Sequence, residues 1–379
     1  MADIIYFDNA ATTPLCDAAK EVLLKDFANP SSPHALGLFA ERAIKTATKD
    51  LSHLLSCRTD ELIFTSGGTE SNNLGILGVA FGLQSSRGRN RPMHILASNQ
   101  EHPSVTEPLG YLSSLPGFSV TYAAPSQWEA HICEDTAMLC ITQVGSETGD
   151  IFDIADIKKR FPETVVFVDG AQGFCKVGQP PGGDIYTFSG HKIHGPMGVG
   201  GLMVRQGLRL QPMLYGGGQQ NRIRPGTENV SGILAMAAAA KAHAAKTQTL
   251  DKTKLEQEWQ RVKDIKDILL GLKQEIPDTY INQVTENVSP YILNMSFVGV
   301  RGETLTSLLS DHNICISMGT ACRTNKKTSP LESMGFSRER AESAVRLSFS
   351  GMNTEEEAYQ AKEVIKSCVS ALRKIKPRK

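Results

Sequence analysis

The chain has 379 residues, sets 40 basic against 40 acidic side chains, and is 40% hydrophobic. That length favours two domains, and a formal net charge of zero excludes the basic footprint of a nucleic-acid binder. No apolar run reaches the ~18–20 residues that cross a bilayer, and the opening Met-Ala-Asp-Ile-Ile-Tyr lacks a signal-peptide pattern, so a soluble cytoplasmic protein is expected.

In chain order, residues 4–14 read as a short extended piece and a polar turn stopped by Pro14. Helical patterns follow from Cys16 to Phe27 and from Ala35 to Leu55, the second with Leu38, Ala43, Ala47, Leu51 and Leu54 available to one face. Glu61 to Thr65 is a strand by composition, then comes Ser66-Gly67-Gly68-Thr69-Glu70-Ser71-Asn72-Asn73, then a helical segment from Leu74 to Phe81. A strand, a glycine turn and a helix start make an anion site, because unpaired N–H groups and the helix dipole point at the turn. Neither the Walker spacing nor the dinucleotide fingerprint is present.

Further strands are expected at His94–Ser98, Ala137–Thr142, Val165–Val168, Asp184–Phe188 and Gly201–Val204. Apolar strands separated by helical patterns indicate a mainly parallel sheet covered on both faces, with ligands bound beyond the strands' carboxyl ends. His102, Ser146, Asp169, Gln172 and Lys192 all fall at such ends. Lys192 stands in a glycine-dense loop, Ser189-Gly190-His191-Lys192-Ile193-His194-Gly195, where a desolvated amine suits Schiff-base chemistry. An alanine-rich helix runs from Ile233 to about Lys246, a charged one follows from Lys254 to Leu272, and the chain from 251 on mixes helices with strands. The expected domains are 15–250, binding the cofactor, and 251–379, with 1–14 packing near the smaller one.

The eight cysteines form no C-x-x-C pair and read mostly as small buried hydrophobes of a reducing compartment. His191 and His194 lack any accompanying carboxylate–histidine signature, so no metal is expected.

Taken together, Tyr6-Phe7-Asp8-Asn9-Ala10-Ala11-Thr12-Thr13-Pro14, the turn at 65–73, Val168-Asp169-Gly170-Ala171-Gln172, Ser189-Gly190-His191-Lys192, Gly216-Gly217-Gly218-Gln219 through Gly226-Thr227, and Gly319-Thr320-Ala321-Cys322 resemble the cysteine desulfurases. These are pyridoxal 5'-phosphate enzymes of the class V aminotransferase group. The resemblance runs in the family's own order from residue 6 to about 349. It implies an α/β fold of the aspartate-aminotransferase type (PLP fold type I), with a large domain built on a mainly parallel central sheet and a smaller α+β C-terminal domain. It also implies a homodimer that converts L-cysteine to L-alanine and passes sulfur, through a persulfide, to a protein acceptor in iron–sulfur cluster or thiolation pathways.

By the same resemblance Lys192 holds the cofactor covalently and moves protons, Asp169 faces the pyridine nitrogen, and Gln172 meets the phenolic oxygen. His102 stacks on the ring, and Gly68, Thr69, Ser189 and His191 hold the phosphate, with Thr227 reaching in from the partner subunit. Cys322 is the nucleophile that takes the sulfur, a role that needs a thiolate; Arg323, Lys326 and Lys327 nearby suit one. Arg346 grips the substrate carboxylate with a planar fork. One departure is Ser146, which stands where the family usually has an asparagine contacting cofactor and substrate. The competing expectations are another class V activity (selenocysteine lyase or aminotransferase) and a low-activity sulfur-transfer scaffold.

Overall fold

The structure, a computed structural model, describes residues 4–87, 91–178, 182–247, 252–319 and 329–374. Cys322, with Thr320, Arg323, Lys326 and Lys327, lies outside the described residues. The chain forms two compact units, one of Pro14–Gln143 and Phe152–Lys252, the other of Met1–Thr13, Val144–Ile151 and Thr253–Lys379.

The larger unit is built on a seven-stranded sheet. Its strands are β1 (Leu62–Thr65), β2 (Met93–Ser98), β3 (Phe118–Ala123), β4 (Thr136–Thr142), β5 (Val165–Asp169), β6 (Ile185–Ser189) and β7 (Gly200–Val204). They lie in the order β1-β7-β6-β5-β4-β2-β3. β2 to β6 are mutually parallel, and β7 runs antiparallel to both β6 and β1, which leaves β1 pointing the same way as the rest. Strands buried on both faces need apolar side chains at consecutive positions. Runs such as Val165-Val166-Phe167-Val168 supply them, and every residue of β1, β2, β4, β5, β6 and β7 is buried.

Alternate residues feed two cores. On one face Phe64, Leu139, Val166, Phe188 and Met203 meet helix α2 (Ala35–Leu54), through Ala40, Ile44 and Leu51, and helix α6 (Val230–Thr247), through Ile233 and Met236. On the other, Ile95, Met138, Phe167 and Leu202 meet α3 (Gly68–Arg87) and α4 (Pro103–Ser113), through Ile76, Leu77, Val105 and Leu109. Each fully buried Leu, Ile or Phe contributes about 1.5–3 kcal/mol. Helix α1 (Asp17–Leu23) packs Ala19 against Ala235 and Ala239 of α6, and α5 (Ile154–Arg160) adds Ile154 and Ile157 to the first core.

The sheet's β1 edge is closed by a side chain. Gln220 accepts a hydrogen bond from the Phe64 N–H and donates one to the Phe64 carbonyl, as a neighbouring strand would. Reaching that position puts Gln220, Asn221 and Arg222 in succession at φ of 45°, 55° and 64°, a left-handed run that non-glycine residues adopt only when other contacts hold them there.

The smaller unit carries a four-stranded antiparallel sheet, β8 (Thr279–Ile281), β9 (Ile292–Phe297), β10 (Ser317–Met318) and β11 (Ala344–Ser348), in the order β10-β11-β9-β8. Ile5–Tyr6 pairs in parallel with Ile314–Cys315. The segment Val144–Ile151 is fastened to this unit by Asp150, fully buried, whose Oδ1 accepts from the N–H groups of Val284 and Thr285 at 3.0 and 2.8 Å. Four donors on the one carboxylate, the hydroxyls of Thr285 on Oδ1 and Thr148 on Oδ2 included, hold such a buried charge in place.

Candidate active site

The carboxyl ends of β1, β2, β4, β5 and β6 share one edge of the sheet, and the polar residues just beyond them gather there. Asp169 closes β5 and is 5% exposed. Its Oδ1 accepts from the Ala171 N–H at 2.9 Å and its Oδ2 from the Asn72 side-chain amide at 3.0 Å. Asn72 also donates to Ser104 Oγ at 2.8 Å and accepts from the Thr187 hydroxyl at 2.6 Å. These bonds fix which side of its amide is nitrogen.

The same network reaches His102, the N-cap of α4. Its Nδ1 lies 2.8 Å from Ser104 Oγ and accepts from the Ser104 N–H at 3.1 Å. A backbone N–H can only donate, so Nδ1 carries no proton and the neutral ring is protonated on Nε2. His102 is exposed. Asn72 and Ser104 are neighbours of the candidate site that sequence reasoning missed; the bonds from Asn72 to Asp169 and to Ser104 are non-local and leave no mark in spacing. Glu101, beside His102 in sequence, is a further one. Its Oε1 accepts from the Thr142 N–H at 2.7 Å, and burial first, then the charge of Asp169, pushes its carboxyl up to about 8.

A second locus forms around the glycine turn. Helix α3 starts at Gly68, inside that turn, several residues before the Leu74 expected from periodicity. Gly67 holds φ at 149°, a conformation glycine adopts without strain. Ser189, closing β6, faces the turn, its Oγ 3.8 Å and its Cβ 3.7 Å from where side chains on Gly67 and Gly68 would begin. The Ser189 hydroxyl is buried without a hydrogen-bond partner among the described residues. The turn is braced by Glu70, which accepts from the Ser66 N–H at 2.6 Å and from Arg224 Nε at 2.7 Å. Thr69 is exposed, next to Gly68.

Lys192 ends the short turn Gly190–Lys192 directly after β6 and is half-buried. His191 beside it is pushed down to about 4 by burial, then by the charges of Lys192 and Lys176, which keeps its ring neutral at pH 7. Gln172 is 6% exposed, and its Oε1 accepts from Lys176 Nζ at 3.0 Å. Thr227 is exposed and makes none of these bonds.

In the smaller unit Arg346, on β11, is 8% exposed. Its Nη1 donates to the Ser146 carbonyl at 3.0 Å and to Glu147 Oε1 at 3.1 Å, and its Nη2 lies 3.5 Å from Asp8 Oδ1. Its Nε–H is buried without a partner among the described residues. Ser146 thus meets Arg346 through its backbone oxygen.

The larger unit's residues fit pyridoxal phosphate. A buried carboxylate suits a protonated ring nitrogen, a lysine amine suits an aldehyde, and an unsatisfied buried hydroxyl beside a helix N-terminus suits a phosphate. Among the described residues no cluster of His, Cys, Asp and Glu could hold a metal ion, and none of their helices is long and apolar enough to cross a membrane.

Comparison with known proteins agrees. Residues 5–360 match the family model of class V aminotransferases. The chain is 33% identical to the cysteine desulfurase IscS of Dictyoglomus turgidum, over 99% of this chain and 97% of that protein. It is 37% identical to a NifS/IcsS protein homolog of Lactobacillus delbrueckii subsp. bulgaricus, over 94% of each. The solved structure of a NifS-like protein superposes with a TM-score of 0.85 at 30% identity, covering 98% of this chain and 100% of that one.

Proposed function

We propose, from the premise that this chain belongs to the class V aminotransferase family, the following account of its chemistry. The protein is a pyridoxal-phosphate-dependent cysteine desulfurase of PLP fold type I. One observation carries the assignment of its centre: Asp169 and Lys192 stand at the carboxyl ends of the paired strands β5 and β6, with the unsatisfied Ser189 hydroxyl beside the glycine turn.

The cofactor, when bound, withdraws electrons from the substrate's Cα. Asp169, oriented by Asn72 and Ala171, keeps the ring nitrogen protonated. Lys192 anchors the aldehyde and carries a proton to and from Cα. Gly68, Thr69, Ser189 and His191 receive the phosphate, Gln172 donates to the phenolic oxygen, and His102 offers a flat neutral ring. Arg346 takes the substrate carboxylate, a role supported by its unpartnered Nε–H, and Ser146 fixes the Arg346 fork through its carbonyl. The thiolate of Cys322 attacks the substrate sulfur. An S–S bond forms, the C–S bond breaks with its electrons left on carbon, and protonation there gives alanine.

The large unit is the cofactor-binding domain in this reading, and the small unit carries the Cys322 segment. A homodimer, with Thr227 supplied to the partner's phosphate site, is supported by the exposed Met197, Leu214 and Tyr215. We place the enzyme in the cytoplasm, passing persulfide sulfur to a protein acceptor for iron–sulfur clusters or thiolation. Incubation with L-cysteine tests the whole: alanine and persulfide on Cys322 are expected in equal amounts. Amino transfer to a keto acid, or turnover of selenocysteine alone, would reject it.

A further inference from the structure

Lys176 is the buried cation that the chemistry above does not use. It is 5% exposed, sits in the run of turns after β5, and follows Cys175, which holds a left-handed φ of 59°. Its amine donates to Gln172 Oε1 at 3.0 Å. Among the described residues no carboxylate lies within ion-pair distance of it. A buried ammonium without a counter-charge is costly, and an apolar side chain of the same length would serve packing alone at less cost. The retained cation therefore points to something it does for Gln172.

Resting on the pyridoxal-phosphate reading, we propose that Lys176 is a positioning residue for the cofactor's phenolic oxygen: it captures the Gln172 carbonyl oxygen, so that Gln172 meets a ligand with its N–H groups. A glutamine amide can present either end, and only the nitrogen end suits a phenolate. A protonated lysine has donors and no acceptor, so it accepts one orientation of the amide and rejects the other. The same ammonium adds positive charge beside Lys192 and His191, both of which are electrostatically coupled to it. Phenolate is the form of the cofactor that such charge favours.

The groups facing Lys176 are Lys192, His191 and Cys175. Burial first, then the charge of Lys192, brings the Lys176 amine down to about 7. The clamp is thus strongest on the acid side of neutrality, where the amine can only donate.

The test uses holoenzyme and reads the pH titration of the bound cofactor's visible absorbance, with cofactor affinity measured by titrating apoenzyme. Lys176→Met is expected to move the titration midpoint upward by about one pH unit, a tenfold effect. It should also weaken cofactor binding several-fold, while Lys176→Arg, which keeps a donor-only cation, stays near wild type. Lys176→Leu gives the same reading should the methionine variant not fold. Because Lys176 acts chiefly through Gln172, the double variant Lys176→Met/Gln172→Leu should shift by less than the sum of the two single shifts, with only the direct charge of Lys176 left to add to Gln172→Leu. A Lys176→Met enzyme that titrates as wild type, or additive effects in the double variant, would overturn the proposal. Failure of the underlying reading looks different: wild-type protein that gains no cofactor mass on Lys192 after borohydride reduction.

Discussion

Asn72 and Asp169, 97 residues apart, are joined by a buried hydrogen bond of 3.0 Å from the Asn72 amide to Asp169 Oδ2. Both residues are almost fully buried. Asn72 is held in turn by Thr187 and Ser104, so the carboxylate proposed to face the ring nitrogen is aimed by a neighbour on α3 as well as by its own strand. Asn72→Leu removes that aim and leaves the Thr187 hydroxyl only the Val168 carbonyl, at 3.5 Å. A bond to a charged group contributes about 1.5–3 kcal/mol, so cofactor affinity should fall roughly 10- to 100-fold. Equilibrium titration of the apoprotein checks this; unchanged affinity would show that Asp169 holds its orientation alone.

Cys322→Ala should keep the colour and cofactor content of the parent and release no sulfide from L-cysteine, because the thiolate that accepts the sulfur is gone. Cofactor absorbance and a sulfide assay, run on the same sample, read both halves. Full turnover in this variant would reject Cys322 as the acceptor.

Arg346→Lys should raise KM for cysteine by about one to two orders of magnitude while cofactor binding stays intact, since a point charge cannot reproduce a bidentate fork. Steady-state kinetics with a separate cofactor titration distinguishes this from general damage. Glu147, now bonded to Arg346 Nη1, competes for the same guanidinium; Glu147→Gln is expected to lower KM several-fold by weakening that competition.

Stability should carry a signature of Glu101. Its carboxyl titrates near 4.5 in the unfolded chain and near 8 when folded. Between those values the folded state binds the extra proton, so stability falls as pH rises through that window. It is fully present below about 4.5 and lost by about 8. Lys176 acts in the opposite sense from about 7 up to 10.5, where the folded state binds fewer protons and stability rises with pH. Denaturant unfolding across pH 5–8 should therefore show a downward slope from Glu101 that Glu101→Gln flattens. An identical slope in the variant would assign it to other groups.

The sheet and its order of chemistry were legible because doubly buried strands announce themselves as apolar runs, and because residues at strand ends fall at the turns between runs. The strand Phe118–Ala123 escaped: it is an edge strand whose residues are mostly part-exposed, so its Ser119 and Thr121 break the apolar run. The start of α3 escaped for another reason. Gly68, Thr69 and Asn72 have poor helix propensity, and what makes them helical is the tertiary setting, in which Ser71 bonds Thr65 and the Gly201 carbonyl. Of the candidate site, Asp169, Gln172 and Lys192 were readable as strand-end residues and as part of a family pattern, while Asn72, Ser104, Glu101 and Lys176 were not. Their roles lie in contacts across up to 97 residues, or, for Lys176, in a depth of burial that charge alone would not suggest.

The glutamine that closes the β1 edge has a consequence for how this protein behaves when crowded. Both backbone groups of Phe64 that would otherwise face outward are occupied by a single carboxamide. A stray strand from another molecule therefore finds no continuous row of donors and acceptors there on which to register. Solubility at high concentration and docking of the 216–227 segment are thereby made one property, and a change that undocks the loop opens a template for fibre growth.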